Sequence, residues 1–209
     1  MNIVIIGPQG SGKGTQARMI AERFGISHVS TGDMLREIAR QNTDMGAHID
    51  LLVRKGSLIP DDIVTDLLSR RLSEDDCKKG FVLDGYPRNA NQAKLLEGIA
   101  KIEAVIYLKL SDEEAVKRLA TRFVCNKCGE IYGVVKQPTE EGKCDACGGD
   151  LYQRNDESEF AVRRRLEIFH KDTKPLIDHY RYKRLLHEIN ANQSIEQVFN
   201  DISLIVENL

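Results

Sequence analysis

The chain has 209 residues, with 30 Lys and Arg against 32 Asp and Glu and a formal net charge of -2. That balance offers no overall basic field for nucleic acid or an anionic membrane, and no apolar run approaches the ~20 residues that span a bilayer. The length suits one domain with insertions, or two small ones, and a core that needs no staples; with no leader-like stretch ahead of the first apolar run, a soluble cytoplasmic protein is expected.

The chain opens on Asn2-Ile3-Val4-Ile5-Ile6, an apolar run that reads as a buried parallel strand. Gly7-Pro8-Gln9-Gly10-Ser11-Gly12-Lys13-Gly14-Thr15 follows, and then apolar residues at helical spacing up to Gly25, a plausible stop. Strand, glycine loop, lysine and helix make the layout of a phosphate-binding loop. Glycines let backbone N–H groups approach an anion closely, the helix start adds partial positive charge, and Lys13 adds a full one. The general motif has Ser or Thr directly after the lysine; here Gly14 intervenes and Thr15 carries the hydroxyl.

Residues 27–30 form a short strand candidate, and residues 31–41 a helix with Thr31 placed to cap it and Asp33 suited to its N-terminal dipole. Residues 44–55 read as a helix ended by Gly56, and another starts at Asp61 after Pro60. Residues 80–88 run Gly-Phe-Val-Leu-Asp-Gly-Tyr-Pro-Arg. An apolar strand ending in Asp84 puts a carboxylate at the carboxyl edge of the sheet, where it can hold Mg²⁺ or its waters, and Arg88 lies just beyond with a planar fork suited to phosphate. Helical patterns over 90–100 and 112–120, the second capped by Ser111, flank a strand over 104–110. This alternation predicts an α/β fold, a doubly wound parallel sheet with flanking helices.

The composition changes over residues 122–157, which are rich in glycine and hold four of the five cysteines. Cys125-x2-Cys128 and Cys144-x2-Cys147 form a four-thiolate zinc pattern. Such a site is structural, with no open coordination position, and would supply much of the folding free energy of so small a segment. Cys77 stands outside the pattern and reads as an inert thiol. The segment interrupts the main sheet's elements, so it reads as an inserted lid. Helical spacing resumes at Phe160 with Arg163, Arg164 and Arg165 on a basic face, at least one of them placed to point inward. Pro175 kinks or restarts that helix. A last strand over 185–189 and a helix over 194–206 close the chain.

Together these stretches resemble the adenylate kinase family over nearly the whole chain. The loop with its Lys-Gly-Thr ending, Ser30-Thr31-Gly32-Asp33-Met34-Leu35-Arg36, Asp84-Gly85-Tyr86-Pro87-Arg88 with Gln92, and Arg122, Tyr152-Gln153-Arg154-x-Asp156 and Arg163-Arg164-Arg165-Leu166 carry the likeness. The cysteine pattern is similar to that family's long-lid, zinc-carrying branch. Two stretches depart from the family: Pro8-Gln9, where its proline usually comes one position later, and residues 157–161 at the lid hinge.

The resemblance implies a P-loop kinase core over residues 1–29, 60–120 and 159–209, a monophosphate-binding segment over 30–59 and a zinc-binding lid over 121–158. It implies reversible transfer of the γ-phosphate of MgATP to AMP, giving two ADP, by a monomer with no nucleic-acid or membrane partner. Gly10, Ser11, Gly12, Lys13, Gly14 and Thr15 would cradle ATP, with Arg122, Ile131, Tyr132 and Gln193 also facing it. Thr31, Arg36, Ser57, Leu58, Ile59, Gly85, Tyr86, Pro87, Arg88 and Gln92 would form the AMP site. Arg154 and Arg165 would reach across both phosphates. Asp84, with Asp33 nearby, would hold the Mg²⁺ hydration shell, and the four cysteines one Zn²⁺. Lys13, Arg88, Arg122, Arg154 and Arg165 would be the catalytic charges.

Phosphoryl transfer leaves a protein mainly alignment and charge neutralisation to perform, and a site that must exclude water calls for closure. The amide of Gln92 suits an adenine edge. Two other readings stay open on sequence alone: a kinase for another nucleoside monophosphate, and an ATP-regulated zinc ribbon that binds nucleic acid through Lys127, Lys136 and Lys143, against which the acidic balance argues.

Overall fold

The computed structural model describes residues 1–154 and 158–209. The sequence readings at Asp156 and Glu157 lie outside the described residues. In chain order the elements are β1 (Asn2–Ile6), α1 (Lys13–Phe24), β2 (Ser27–Ser30), α2 (Thr31–Ala39), α3 (Asp44–Arg54) and α4 (Asp61–Leu72). They continue with β3 (Phe81–Asp84), α5 (Ala90–Ile99), β4 (Ala104–Lys109), α6 (Asp112–Ala120), β5 (Phe123–Cys125), β6 (Ile131–Tyr132) and β7 (Leu151–Tyr152). Then come α7 (Glu159–Ile168), α8 (Pro175–Tyr182), β8 (Leu186–Asn190) and α9 (Ile195–Val206). Among these residues no helix is long and apolar enough to cross a membrane.

Five strands form one parallel sheet in the order β2-β3-β1-β4-β8. The order reverses direction beside β1, the crevice where open α/β sheets bind ligands at their carboxyl ends. β1 is apolar from Ile3 to Ile6 because both of its faces are covered there. Ile3 and Ile5 pack with Ala17 and Ile20 of α1 and Val198 and Ile202 of α9. Val4 and Ile6 point the other way, into a core shared with Leu35, Leu68, Leu96 and Tyr180. Each fully buried Ile or Leu contributes roughly 1.5–3 kcal/mol relative to an exposed one, and the two-sided burial explains why β1 shows no alternation of polar and apolar residues.

Helix starts are set by local chemistry, and one differs from expectation. Ser30, not Thr31, caps α2: its Oγ accepts from the Asp33 N–H at 3.2 Å. Thr31 is the first helical residue, 2% exposed, and its hydroxyl donates to the Asp84 carbonyl at 3.3 Å. The side chain one position earlier has the extended backbone a cap requires, which frees Thr31 to tie β3 to α2. Ser111, Ser158 and Ser194 cap α6, α7 and α9, the last in a reciprocal box with Gln197. Near Pro175 the helix restarts rather than kinks. A π-helical turn, Phe169–Thr173, widens the backbone first, and Pro175 takes the opening turn of α8, where its missing N–H costs nothing.

β5, β6 and β7 form a separate three-stranded antiparallel sheet in the order β6-β5-β7. Among the described residues its buried cluster holds Cys125, Tyr132 and Cys144, with Leu151 packed against them. So little apolar area cannot hold a sheet together by itself, which makes the sulfur cluster the obvious anchor.

Candidate active site

The site grows out of the carboxyl ends of the parallel strands. β1 runs into the glycine loop, β3 ends on Asp84, and the register sets Asp84 beside Ile5 on one side and Ser30 on the other. The carboxylate is thereby brought to the start of α1. A Cβ built on Gly14 would lie 3.3 Å from Asp84 Oδ2. The glycine between Lys13 and Thr15 therefore allows the helix start and the carboxylate to meet, a contact that a hydroxyl side chain at that position would crowd.

Lys13 opens α1 and folds back over the loop, its Nζ donating to the Gly7 and Pro8 carbonyls at 2.9 and 2.8 Å. Burial brings its pKa down from 10.5 to about 8, against the pull of the Asp84 carboxylate and with the repulsion of Arg88 and Arg122. Arg88 is held by a 2.7 Å bond from its Nε to the Gly85 carbonyl, and its own carbonyl accepts from Thr173 Oγ1 at 2.7 Å. Burial, and then Arg165 beside it, push the Arg88 pKa down to about 10, with Asp84 opposing and Arg36 adding to the fall. Two cations depressed together, in a space that holds Arg36, Arg122, Arg154 and Arg165 as well, describe a site short of negative charge.

One continuous cleft of about 750 Å³ runs from the glycine loop to Gln92. Every residue assigned above to ATP, AMP or Mg²⁺ borders it, as do Cys125 and Cys128, whereas Cys144 and Cys147 do not. Some of these side chains are already engaged. Asp33 pairs with Arg36 at 2.5 Å; burial opposes its charge, but that partner and Ser30 leave its pKa below the usual carboxylate value. Arg165 donates to the Val53 carbonyl at 3.0 Å. Gln193 donates to the Asn190 carbonyl and to Asp201, each at 2.9 Å. Tyr132 is 2% exposed, and its hydroxyl is committed to the cysteine turns, accepting from the Asp145 N–H at 2.8 Å. Of the basic face on α7, Arg163 and Arg164 pair with Glu159 and Glu167 on the same helix, and Arg165 turns to the cleft.

The sulfurs of Cys125, Cys128, Cys144 and Cys147 all lie within 4.8 Å of one another. Cys125 and Cys147 are 3.4 Å apart and Cys128 and Cys144 3.6 Å. A disulfide would bring sulfurs to about 2.05 Å, whereas four thiolates on one zinc at about 2.3 Å sit roughly 3.8 Å from each other. The donor set and the spacing fit a tetrahedral thiolate site. The turn is built for it: a Cβ on Gly149 would lie 2.7 Å from Cys125 Sγ. The Tyr132 hydroxyl is 3.5 Å from Cys144 Sγ and is the largest influence holding that thiol down to about 6.

The adenylate kinase family model matches residues 5–185. The chain belongs to the adenylate kinase family. An adenylate kinase of Archaeoglobus fulgidus is 43% identical over 215 residues, spanning 100% of this chain and 99% of that relative. One of Methanothrix thermoacetophila is 45% identical over 212 residues, 99% of this chain and 98% of the relative. One of Thermosipho melanesiensis is 42% identical over 212 residues, 99% of each. The reaction is that of the adenylate kinase family, reversible phosphoryl transfer between ATP and AMP.

For a member of the adenylate kinase family the sequence left several cleft residues unread. Arg18 and His28 border the cleft, and the His28 Nε2 is buried with no hydrogen-bond partner among the described residues. Arg40 donates to the Tyr152 hydroxyl at 3.5 Å, joining α2 to the small sheet. Asp61, outside the cleft lining, read only as a helix start, yet its carboxylate organises the residues around Gln92. Position after a motif pointed only to Arg18, which lies in the second turn of α1, soon after the loop.

Proposed function

We propose that ATP lies with its phosphates in the Gly10, Ser11, Gly12, Lys13, Gly14 and Thr15 loop and AMP with its base at Gln92, the two nucleotides meeting end to end between Lys13 and Arg88. The reading is carried by one observation: a single cleft joins a backbone anion cradle to a buried amide, with cations gathered midway. An oxygen of the AMP phosphate forms a bond to the γ-phosphorus as the bond to the β–γ bridging oxygen breaks, and ADP leaves. The protein supplies charge and alignment. Lys13 exchanges its two carbonyl partners for phosphate oxygens, and Arg88, tethered by Nε, meets the moving group with its Nη nitrogens. Arg122, Arg154 and Arg165 complete the neutralisation, and Thr31, Arg36, Ser57, Leu58, Ile59, Gly85, Tyr86 and Pro87 wall the AMP side. Ile131, Tyr132 and Gln193 border the ATP side.

Mg²⁺ accompanies ATP in this reading, its waters held by Asp84 and Asp33, and supplies charge screening on the phosphates. Zn²⁺ at Cys125, Cys128, Cys144 and Cys147 is structural. The chain divides into a core over 1–29, 60–120 and 159–209, an AMP segment over 30–59 and a lid over 121–158 that shuts out water. The enzyme acts as a cytoplasmic monomer in the balance of adenine nucleotides. A coupled assay with ATP and AMP, CMP, UMP or GMP, with and without Mg²⁺, tests the reading. ADP formed fastest from AMP and only with Mg²⁺ supports it; equal turnover of a pyrimidine monophosphate overturns the base site, and ATP breakdown that ignores the acceptor overturns the two-nucleotide cleft.

A further inference from the structure

Gln92 is 2% exposed and held from both ends of its amide. Its Oε1 accepts from the Arg88 backbone N–H at 2.8 Å, and its Nε2 donates to Asp61 Oδ1 at 2.7 Å. The same carboxylate accepts from Asn89 Nδ2 at 2.9 Å through Oδ1 and from Asn91 Nδ2 at 2.7 Å through Oδ2. Asn89 in turn caps α5 by accepting from the Gln92 N–H at 2.8 Å. Both partners of the Gln92 amide are chemically one-way: a backbone N–H only donates and a carboxylate only accepts. An amide turned by 180° would set oxygen against oxygen at Asp61 and hydrogen against hydrogen at Arg88.

We infer that Asp61 is a specificity-determining residue: by holding the Gln92 amide in one sense, it makes the site read a 6-aminopurine and reject a 6-oxopurine. The inference rests on the placement of the AMP base against Gln92 proposed above. With one hydrogen of Nε2 given to Asp61 and one lone pair of Oε1 given to Arg88, the amide keeps one donor and one acceptor for the cleft, in fixed order. Adenine offers a matching pair, the N6–H donor beside the N1 acceptor. Hypoxanthine and guanine offer the reverse, O6 as acceptor beside N1–H as donor. The flipped amide would accept them, and the carboxylate, acting with the Arg88 N–H, opposes the flip. Hydrogen bonding to Asn91, Asn89 and Gln92 keeps the Asp61 pKa below the usual value although burial opposes it, so the acceptor stays ionised.

The test compares kcat/KM for AMP and for inosine monophosphate at saturating MgATP, a ratio that does not depend on the fraction of folded enzyme. Asp61→Leu removes the acceptor and is expected to lower the AMP preference about tenfold, the scale of one lost hydrogen bond turned against the wrong base. Asp61→Ser, which suits the same helix start, replaces the acceptor-only carboxylate with a shorter hydroxyl that can donate or accept and so no longer dictates the sense of the amide; it is expected to act in the same direction should the leucine variant fold poorly. Asp61→Asn keeps an oxygen that can accept from Nε2 and is expected to retain most of the preference. Gln92→Leu serves as the reference. If it collapses the preference while Asp61→Leu and Asp61→Ser leave it intact, the role of Asp61 is overturned and the base site stands. If Gln92→Leu itself leaves the ratio unchanged, the base site is wrong and the inference goes with it.

Discussion

Arg18, on the helix that follows the glycine loop, clasps the first cysteine turn: its Nη1 donates to the Gly129 carbonyl at 3.3 Å and lies 3.7 Å from Glu130 Oε2. Glu130 is shared, its other oxygen 2.5 Å from Lys136 Nζ. The helix that begins at the phosphate loop is thereby tied to the small sheet, on the cysteine side of the cleft. Partly exposed ion pairs contribute about 0.2–1 kcal/mol, so this one ties the helix to the small sheet only weakly. Arg18→Glu is expected to raise KM for ATP about threefold to fivefold, with KM for AMP little changed. Combining it with Glu130→Arg should restore part of the loss. Steady-state kinetics of the two singles and the double decide the matter, and additive effects would show that the pair does not act as a unit.

Lys13 makes a pH prediction with a definite sign. Its folded pKa of about 8 lies below the usual 10.5, so in the free enzyme the ammonium is lost as pH rises through about 8. Because kcat/KM reports the free enzyme, kcat/KM for ATP is expected to fall above pH 8, while kcat, measured with phosphates bound beside the ammonium, falls later. The Lys13→Arg variant should show no such fall. For stability the sign is opposite: between about pH 8 and 10.5 the unfolded chain holds more protons at this residue, so its burial penalty is relieved as pH rises. Lys13→Met is expected to lose at least about a hundredfold in kcat, the scale of one preorganised charge, with an unchanged circular dichroism spectrum. A flat kcat/KM profile in the parent enzyme would show that Lys13 does not titrate there.

The cysteine cluster predicts a metal with more bearing on stability than on chemistry. Purified enzyme is expected to carry about one zinc per chain, read by elemental analysis. Cys144→Ser, which removes one of four ligands, is expected to lower the melting temperature by several degrees and to leave kcat at low temperature within about threefold of the parent, because the small sheet has almost no core of its own. Protein prepared without zinc and melting at the same temperature would remove the cluster from the stability account.

Much of this protein is local and therefore legible in one dimension. The almost unbroken apolar run of β1, the glycines and lysine after it, the cap at Ser111, the aspartate ending β3 and the paired Cys-x2-Cys turns are each set by neighbours within a few residues, since strand burial, helix starts and metal turns are short-range matters. Periodicity likewise indicated the parallel sheet, although it took the cap of α2 one residue too late, because Ser30 and Thr31 are both acceptable caps and only backbone angle distinguishes them.

What the tertiary structure decided is which distant groups share a charge and which share a hydrogen bond. Gly14 looks like a departure from a motif until Asp84, seventy residues on, is seen 3.3 Å from where its Cβ would be. Arg18 and Glu130 are 112 positions apart, and Asp61 and Gln92 are 31, with no pattern in the chain to join them. The depressed pKa values of Lys13 and Arg88 follow from burial beside other cations, and burial is a property of the packed molecule alone. The sequence by itself named the chemistry through residue type and spacing; the fold determined how each side chain is oriented and restrained, because those constraints come from neighbours that only packing brings within a few ångströms.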